Sequence, residues 1–183
     1  MKKYISAFCS LAILSLILVA CDSSNKPEKA PIPEPVADMK DAYNSYKACL
    51  SEIYSEGMTI TFKREDHTEE TFTIDYSQIL MENDEGITDC ICELGFLSDN
   101  GCIISINLSA NDWEKKNAIT ESAVINITTY SPQYNEYRCP AEIIHSGDKL
   151  YLRDAQGQYV CVLQWRVGIL YLEDNAGHTW NAL

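Results

Sequence analysis

Basic residues are scarce in this chain. Its 183 residues hold 14 Lys and Arg against 27 Asp and Glu, a formal charge of −13 at pH 7. A field of that sign repels phosphodiesters and anionic lipid head groups, which argues against a nucleic acid partner or an electrostatically held lipid surface and favours a basic protein. Histidine is scarcer still: His67, His145 and His178 occur singly, far apart in the sequence. No His-Glu-x-x-His, Cys-x-x-Cys, Gly-x-Ser-x-Gly, Walker or Gly-x-Gly-x-x-Gly segment occurs. The local signatures of zincins, dithiol oxidoreductases, α/β-hydrolases and nucleotide-binding loops are therefore missing, and the expectation is a protein that is not an enzyme and carries no metal or cofactor.

What the chain does have begins at its amino terminus. Met1-Lys2-Lys3 supplies positive charge, Ile5 to Ala20 is apolar apart from Ser6, Ser10, Ser15 and the small Cys9, and the stretch ends in Leu18-Val19-Ala20-Cys21. Too short to read as a permanent membrane span, this segment resembles the signal peptide and lipobox of bacterial lipoproteins. The resemblance covers residues 1–21. It implies cleavage that removes residues 1–20, lipidation of the Cys21 thiol, and an address in the bacterial cell envelope, facing the periplasm or the cell surface. Asp22 after the cysteine implies, by the sorting rule of enteric bacteria, retention on the inner membrane; the rule differs among bacteria and leaves the choice of membrane open. Residues 21–37 then carry Pro27, Pro31, Pro33 and Pro35 among small and polar residues, the composition of a semi-extended tether. The globular domain is expected over residues 38–183.

Beyond Cys9 and Cys21 six cysteines remain: Cys49, Cys90, Cys92, Cys102, Cys139 and Cys161. An even number in an exported domain reads as a framework of up to three disulfides. Cys90 and Cys92 share one face of a strand with Cα atoms roughly 6.5 to 7 Å apart, at the limit of a disulfide, so different partners are expected for each. Cys102, after the turn Ser98-Asp99-Asn100-Gly101, is expected on the opposite face of that hairpin. Cys49 is then the mate for one of Cys90 and Cys92, and Cys139 pairs with Cys161.

Asp38 offers a helix cap, and Met39, Ala42, Tyr43, Tyr46, Leu50 and Ile53 recur at helical spacing until Gly57, which predicts one helix over 39–56. From Met58 the period changes to two. Residues 58–63 and 71–76 alternate around a charged tip, and 87–97 with 102–108 form a second hairpin that buries Ile91, Leu97, Ile104, Ile106 and Leu108 on one face. A polar helical piece is expected at 113–117 and a β-branched strand at 123–130. Leu150-Tyr151-Leu152-Arg153-Asp154-x-x-Gly157 recurs as Leu170-Tyr171-Leu172-Glu173-Asp174-x-x-Gly177, which reads as two consecutive hairpins. The fold class expected is α+β: an amino-terminal amphipathic helix packed on a mainly antiparallel sheet of seven to nine strands, built from consecutive hairpins and curling toward a barrel.

For a binding surface the strongest composition lies in Tyr130-Ser131-Pro132-Gln133-Tyr134-Asn135-Glu136-Tyr137-Arg138. Tyrosine supplies rigid amphipathic contact area at low entropic cost, which makes Tyr130, Tyr134, Tyr137 and Arg138 the candidate partner-binding residues. The competing reading has these tyrosines lid the core beside Cys139. Together the address, acidity and missing motifs predict a lipid-anchored extracytoplasmic binding protein, of inhibitor or immunity type, acting on a basic enzyme in the envelope. Two other classes stay open: an envelope assembly lipoprotein that needs a protein partner without acidic complementarity, and a hydrolase whose triad forms in space around His145 or His178. The plainer expectation for the histidines is exposed turn residues.

Overall fold

The computed structural model describes residues 30–84, 87–115, 118–129, 134–174 and 177–183; Cys21 and Tyr130 lie outside them. Ten strands follow a short helix: β1 Thr59–Arg64, β2 Glu69–Asp84, β3 Ile87–Ser98, β4 Ile103–Lys115, β5 Ala118–Thr129, β6 Asn135–Ser146, β7 Lys149–Asp154, β8 Tyr159–Gln164, β9 Gly168–Glu173 and β10 Thr179–Ala182. Each strand pairs antiparallel with the next, and β10 closes on β1 to complete an up-and-down barrel. The protein is thus mostly antiparallel β, with ten strands where seven to nine were expected.

The helix is shorter than its sequence pattern. Asp38 caps it as expected, its carboxylate accepting from the Asp41 N–H at 2.9 Å. The α-helix α1 then runs only Met39–Tyr46 and passes into a π-helical turn, Lys47–Ser51. Widening the helix by one residue lets the adjacent Cys49 and Leu50 both bury fully. The chain reverses before Gly57, whose φ of +82° is the left-handed conformation anticipated there.

Strand lengths differ sharply around the barrel: β2 has 16 residues and β3 to β6 have 12 or 13, while β1, β7, β8 and β9 have 6 and β10 has 4. Unequal neighbours must part. β1 pairs with β2 only over Glu69–Thr73, extended to Ile74 by the backbone of Gly57 and Met58. On the other side β5 and β6 pair from Thr129↔Asn135 to Ala123↔Ala141 and then separate, β6 staying with β7 and β5 with β4. The upper parts of β2 to β5 therefore stand above the closed barrel as a four-stranded sheet. α1 lies against β2, β3 and β4 of that sheet, and the π turn reaches across to β8 and β9 on the far wall. A ten-stranded barrel is wider than side chains alone fill, and the helix occupies the excess.

The turn between β8 and β9 clasps the helix: the Arg166 N–H donates to the Ala48 carbonyl at 2.8 Å, and the Ile169 N–H to the Tyr54 hydroxyl at 2.9 Å. Below, the lumen is filled by Phe62, Phe72, Phe96 and Trp180, edge to face at centroid distances of 5.6 to 6.4 Å, geometry in which each pair adds about 0.5–1.5 kcal/mol beyond burial. Arg64 lies 4.9 Å over the Trp180 ring.

Several local expectations need correction. Residues 113–115 belong to β4 rather than to a helical piece, because the β4–β5 hairpin continues through Lys115↔Ala118. Ile91 and Leu97 face outward while Ile104, Ile106 and Leu108 face the lumen. The reason is the β3–β4 turn, whose three residues 99–101 set Cys102 opposite Ser98, with the Ser98 N–H donating to the Cys102 carbonyl. Cys102 thus shares the inner face with Cys90 and Cys92 and is not opposite to them. The 20-residue repeat does form two consecutive hairpins, β7–β8 and β9–β10, and a β-bulge at Val162/Leu163 lets Tyr171 bury where Tyr151 is only half-covered.

Candidate functional site

Where β5 and β6 part, the gap is closed by polar groups. The chain entering the domain bridges to β6, the Glu34 N–H donating to the His145 carbonyl at 2.8 Å. Glu121 sits at an inward position of β5, in line with the buried Ala123, Ile125 and Ile127. Its carboxylate takes the His145 Nε2 at 2.9 and 3.1 Å, and the Tyr46 hydroxyl of α1 donates to it at 2.6 Å, with the Ser109 carbonyl at 3.3 Å as a second acceptor. The side chains of His145 and Glu121 are only 12% and 13% exposed. A carboxylate accepts only, so the histidine carries its proton on Nε2. Burial first, and then the Glu121 charge, push the Tyr46 hydroxyl far above the ordinary tyrosine range, which keeps it a donor.

His145 is therefore no exposed turn residue. It completes a Tyr46-Glu121-His145 relay joining helix, β5 and β6, and its carboxylate partner leads to a tyrosine rather than a serine. His178 is exposed and pairs through Nδ1 with Asp174 at 3.1 Å inside its own turn. His67 occupies the tip of the β1–β2 turn at φ +66°. Sequence reasoning missed Glu121 as a site residue; the readable signal was an acid at an inward register position of an apolar strand.

The opposite end of the barrel is formed by the β1–β2, β3–β4, β5–β6, β7–β8 and β9–β10 connections. It is rich in acids: Glu65, Asp66 and Glu69 on the first, Asp99 on the second, Asp154 on the fourth, Glu173 and Asp174 on the last. The turns are tied to one another, with the Thr179 hydroxyl donating to Glu65 at 2.8 Å across the β10–β1 seam. Asp66 accepts the Thr68 N–H at 2.9 Å, which lowers its pKa and keeps it charged. Among the bases at this end, Arg64 is engaged on Trp180 and Arg153 donates to Glu142 at 2.6 Å.

Of the candidate contact residues, Tyr134, Tyr137 and Arg138 lie at this same end but do not form one patch. Tyr134 is 61% exposed and donates to Glu136 at 2.6 Å. Tyr137 and Arg138 alternate across β6: Arg138 is exposed on the outer face opposite Asn126, while Tyr137 packs against the core with its hydroxyl pKa raised, mainly by burial and by a hydrogen bond with Cys139. Tyr137 thus does what the lid reading expects.

The six cysteines among the described residues are all buried and carry free thiols, so the structure forms none of the expected disulfides. Cys49 faces Cys92 on β3 and Cys161 on β8, with burial and these neighbours raising its pKa. Cys139 with Cys161 is excluded by register. Cys161 aligns through Leu152 with Ile143, four residues along β6 from Cys139, so roughly 13 Å of strand lies between them, beyond any disulfide. No protein-family model matches the chain, and neither a curated protein nor a solved structure matches it.

Proposed function

We propose that the protein is a lipid-anchored extracytoplasmic binding protein of the inhibitor or immunity type, which meets a basic enzyme of the cell envelope with the acidic loop end of its barrel. The observation that carries this reading is the opposition of two ends. Residues 30–33 precede the Glu34 bridge at the upper end of β6, so the chain leading back to Cys21 leaves from the helix end. The acidic turns, with Tyr134 beside them, lie at the other end. A tether anchored at Cys21 would hold them away from the lipid, and acids carried on short turns between strands form a rigid negative surface. Such surfaces act mainly on encounter rate and orientation, and their effect is screened by salt.

The test is capture by the full lipidated chain from envelope extract and from secretions of competing cells, at low and high salt. The expected outcome is one basic enzyme, bound more weakly as salt rises and no longer retained by Asp66→Lys/Glu69→Lys. Equal recovery of a resident envelope complex at both salts, unaffected by the charge reversal, would overturn the inhibitor reading and favour the assembly role. Turnover of a hydrolysable substrate that is lost in His145→Ala would overturn it in favour of catalysis.

A further inference from the structure

Above Ile74 the outer edge of β2 runs on to Asp84 with no strand beside it among the described residues. An edge of this length presents a row of unpaired backbone donors and acceptors, a template for another strand. Proteins usually blunt such an edge with charge, proline or a covering segment. Here Tyr76, Leu80, Met81 and Ile91, large apolar residues that are all more than a third exposed, lie on it or on the strand beside it. Leu80 and its cross-strand neighbour Ile91 are 48% and 43% exposed on the outer face, and Met81 is 50% exposed on the inner face beside Ile79.

The edge sequence is Gln78-Ile79-Leu80-Met81-Glu82. Laid antiparallel against a second copy with Leu80 on the two-fold axis, it pairs Leu80 with Leu80, Ile79 with Met81 and Gln78 with Glu82. No acid then opposes an acid. Within one chain Glu82 instead faces Asp89 across β2–β3, two acids side by side on the outer face. Gln78 gives one amide N–H to Glu93 at 2.5 Å and keeps its second for the Glu82 of the other copy. On the outer face Ile91, Leu80 and the same two residues of the second copy would make one apolar stripe across the axis. Ile79 and Met81 would do the same on the inner face.

We infer that the open β2 edge is a homodimer interface, in which two copies join their β2 strands antiparallel about Leu80 into one continuous sheet. Two-fold association of a self-complementary patch is the commonest route to an oligomer. The inference is independent of the acidic end, which lies at the other pole of the barrel.

Cross-linking in the full chain, exported to the envelope and resolved on non-reducing gels after mild oxidation with oxidised glutathione, tests both interface and register. Residues facing each other across an antiparallel pair have Cα atoms about 4.5–5.5 Å apart, within disulfide range. Leu80→Cys is expected to shift most of the protein to twice its monomer mass. Gln78→Cys alone places its two thiols roughly 13 Å apart and stays monomeric, while Gln78→Cys/Glu82→Cys cross-links again. The six native thiols among the described residues are buried, and the parent chain, treated in parallel, gives the background from the other two cysteines. Monomeric Leu80→Cys together with monomeric Gln78→Cys/Glu82→Cys would overturn the inference. So would equal cross-linking by Leu97→Cys, an exposed outer-face control at the other end of β3, or a conjugate of Leu80→Cys with a different protein.

Discussion

The four-stranded sheet above the barrel has two lateral edges, and the protein treats them in opposite ways. At β5 the departing β6 leaves a wedge through which the chain must enter, and polar groups fill it: the Glu34 backbone on His145, and Glu121 between His145 and Tyr46. At β2 the missing neighbour is β1, no other strand lies beside the edge among the described residues, and Leu80 and Ile91 on one face and Ile79 and Met81 on the other flank it. Both edges follow from one cause, strands of up to 16 residues in a wall closed by strands of 4 to 6. A backbone crossing inside a fold must have its polar groups satisfied, so the sealed edge needs a carboxylate network. An edge facing outward carries no such demand and is free to become an interface.

The largest predicted effect removes the frame on which both edges rest. Cys90 and Cys92 project from the inner face of β3 midway between them, and burial, the first cause in each case, lifts their thiols from an ordinary 9.0 to about 11 and about 12. The folded state holds the neutral form. Stability from these groups is fully present below pH 9 and is lost as pH rises through 9 towards 11 to 12. In reductant, the urea midpoint should hold level to about pH 9 and then fall steeply. Cys90→Ala/Cys92→Ala should flatten part of that fall, and an unchanged slope would show that the two thiols carry none of it.

Next in size is the sealed edge. Glu121→Ala strips the acceptor from two nearly buried donors and should cost about 2–3 kcal/mol of unfolding free energy, the penalty of leaving such groups unpaired. Tyr46→Phe removes one bond to the carboxylate and leaves the His145–Glu121 hydrogen bond, so about 1–1.5 kcal/mol is expected. Urea unfolding of the three proteins at pH 7 checks the order. A Tyr46→Phe loss as large as that of Glu121→Ala would mean that the hydroxyl, and not the carboxylate, holds the wedge closed.

How much of this was legible in the sequence depended on whether the pattern was local. Alternation gave the hairpins, the Asp38 cap and the Gly57 reversal because each is decided within a few residues. Closure was less legible, since β1 and β10 are more than a hundred residues apart and nothing in either names the other. The face of Cys102 turned on a loop of three residues, 99–101, in place of the four-residue turn Ser98-Asp99-Asn100-Gly101, and one residue of register flips every side chain. The helix end was misread because the π turn keeps apolar residues buried beyond the last α-helical turn, while Ile53 belongs to the reversal. His145 looked like a turn residue since its partners lie 24 positions away at Glu121 and, through it, 99 positions away at Tyr46. The tyrosine segment split for a simpler reason: residues 137 and 138 alternate across a strand, so composition that reads as one loop is divided between core and surface.

The smallest effect separates the two edges most cleanly. Leu80→Lys changes an exposed side chain, so in dilute protein its unfolding free energy should stay within about 0.5 kcal/mol of the parent. If the β2 edge joins two copies, association adds to the parent's stability by mass action, and its melting temperature should climb with protein concentration. Leu80→Lys sets two ammonium groups against each other on the two-fold axis, so its melting temperature should be independent of concentration. Glu121→Ala should behave differently again: less stable than the parent at every concentration, yet still climbing with it, because its defect lies at the other edge. A parent whose melting temperature ignores concentration would leave the β2 edge without a second copy, and parallel shifts of Glu121→Ala and Leu80→Lys would mean that the two edges are not independent.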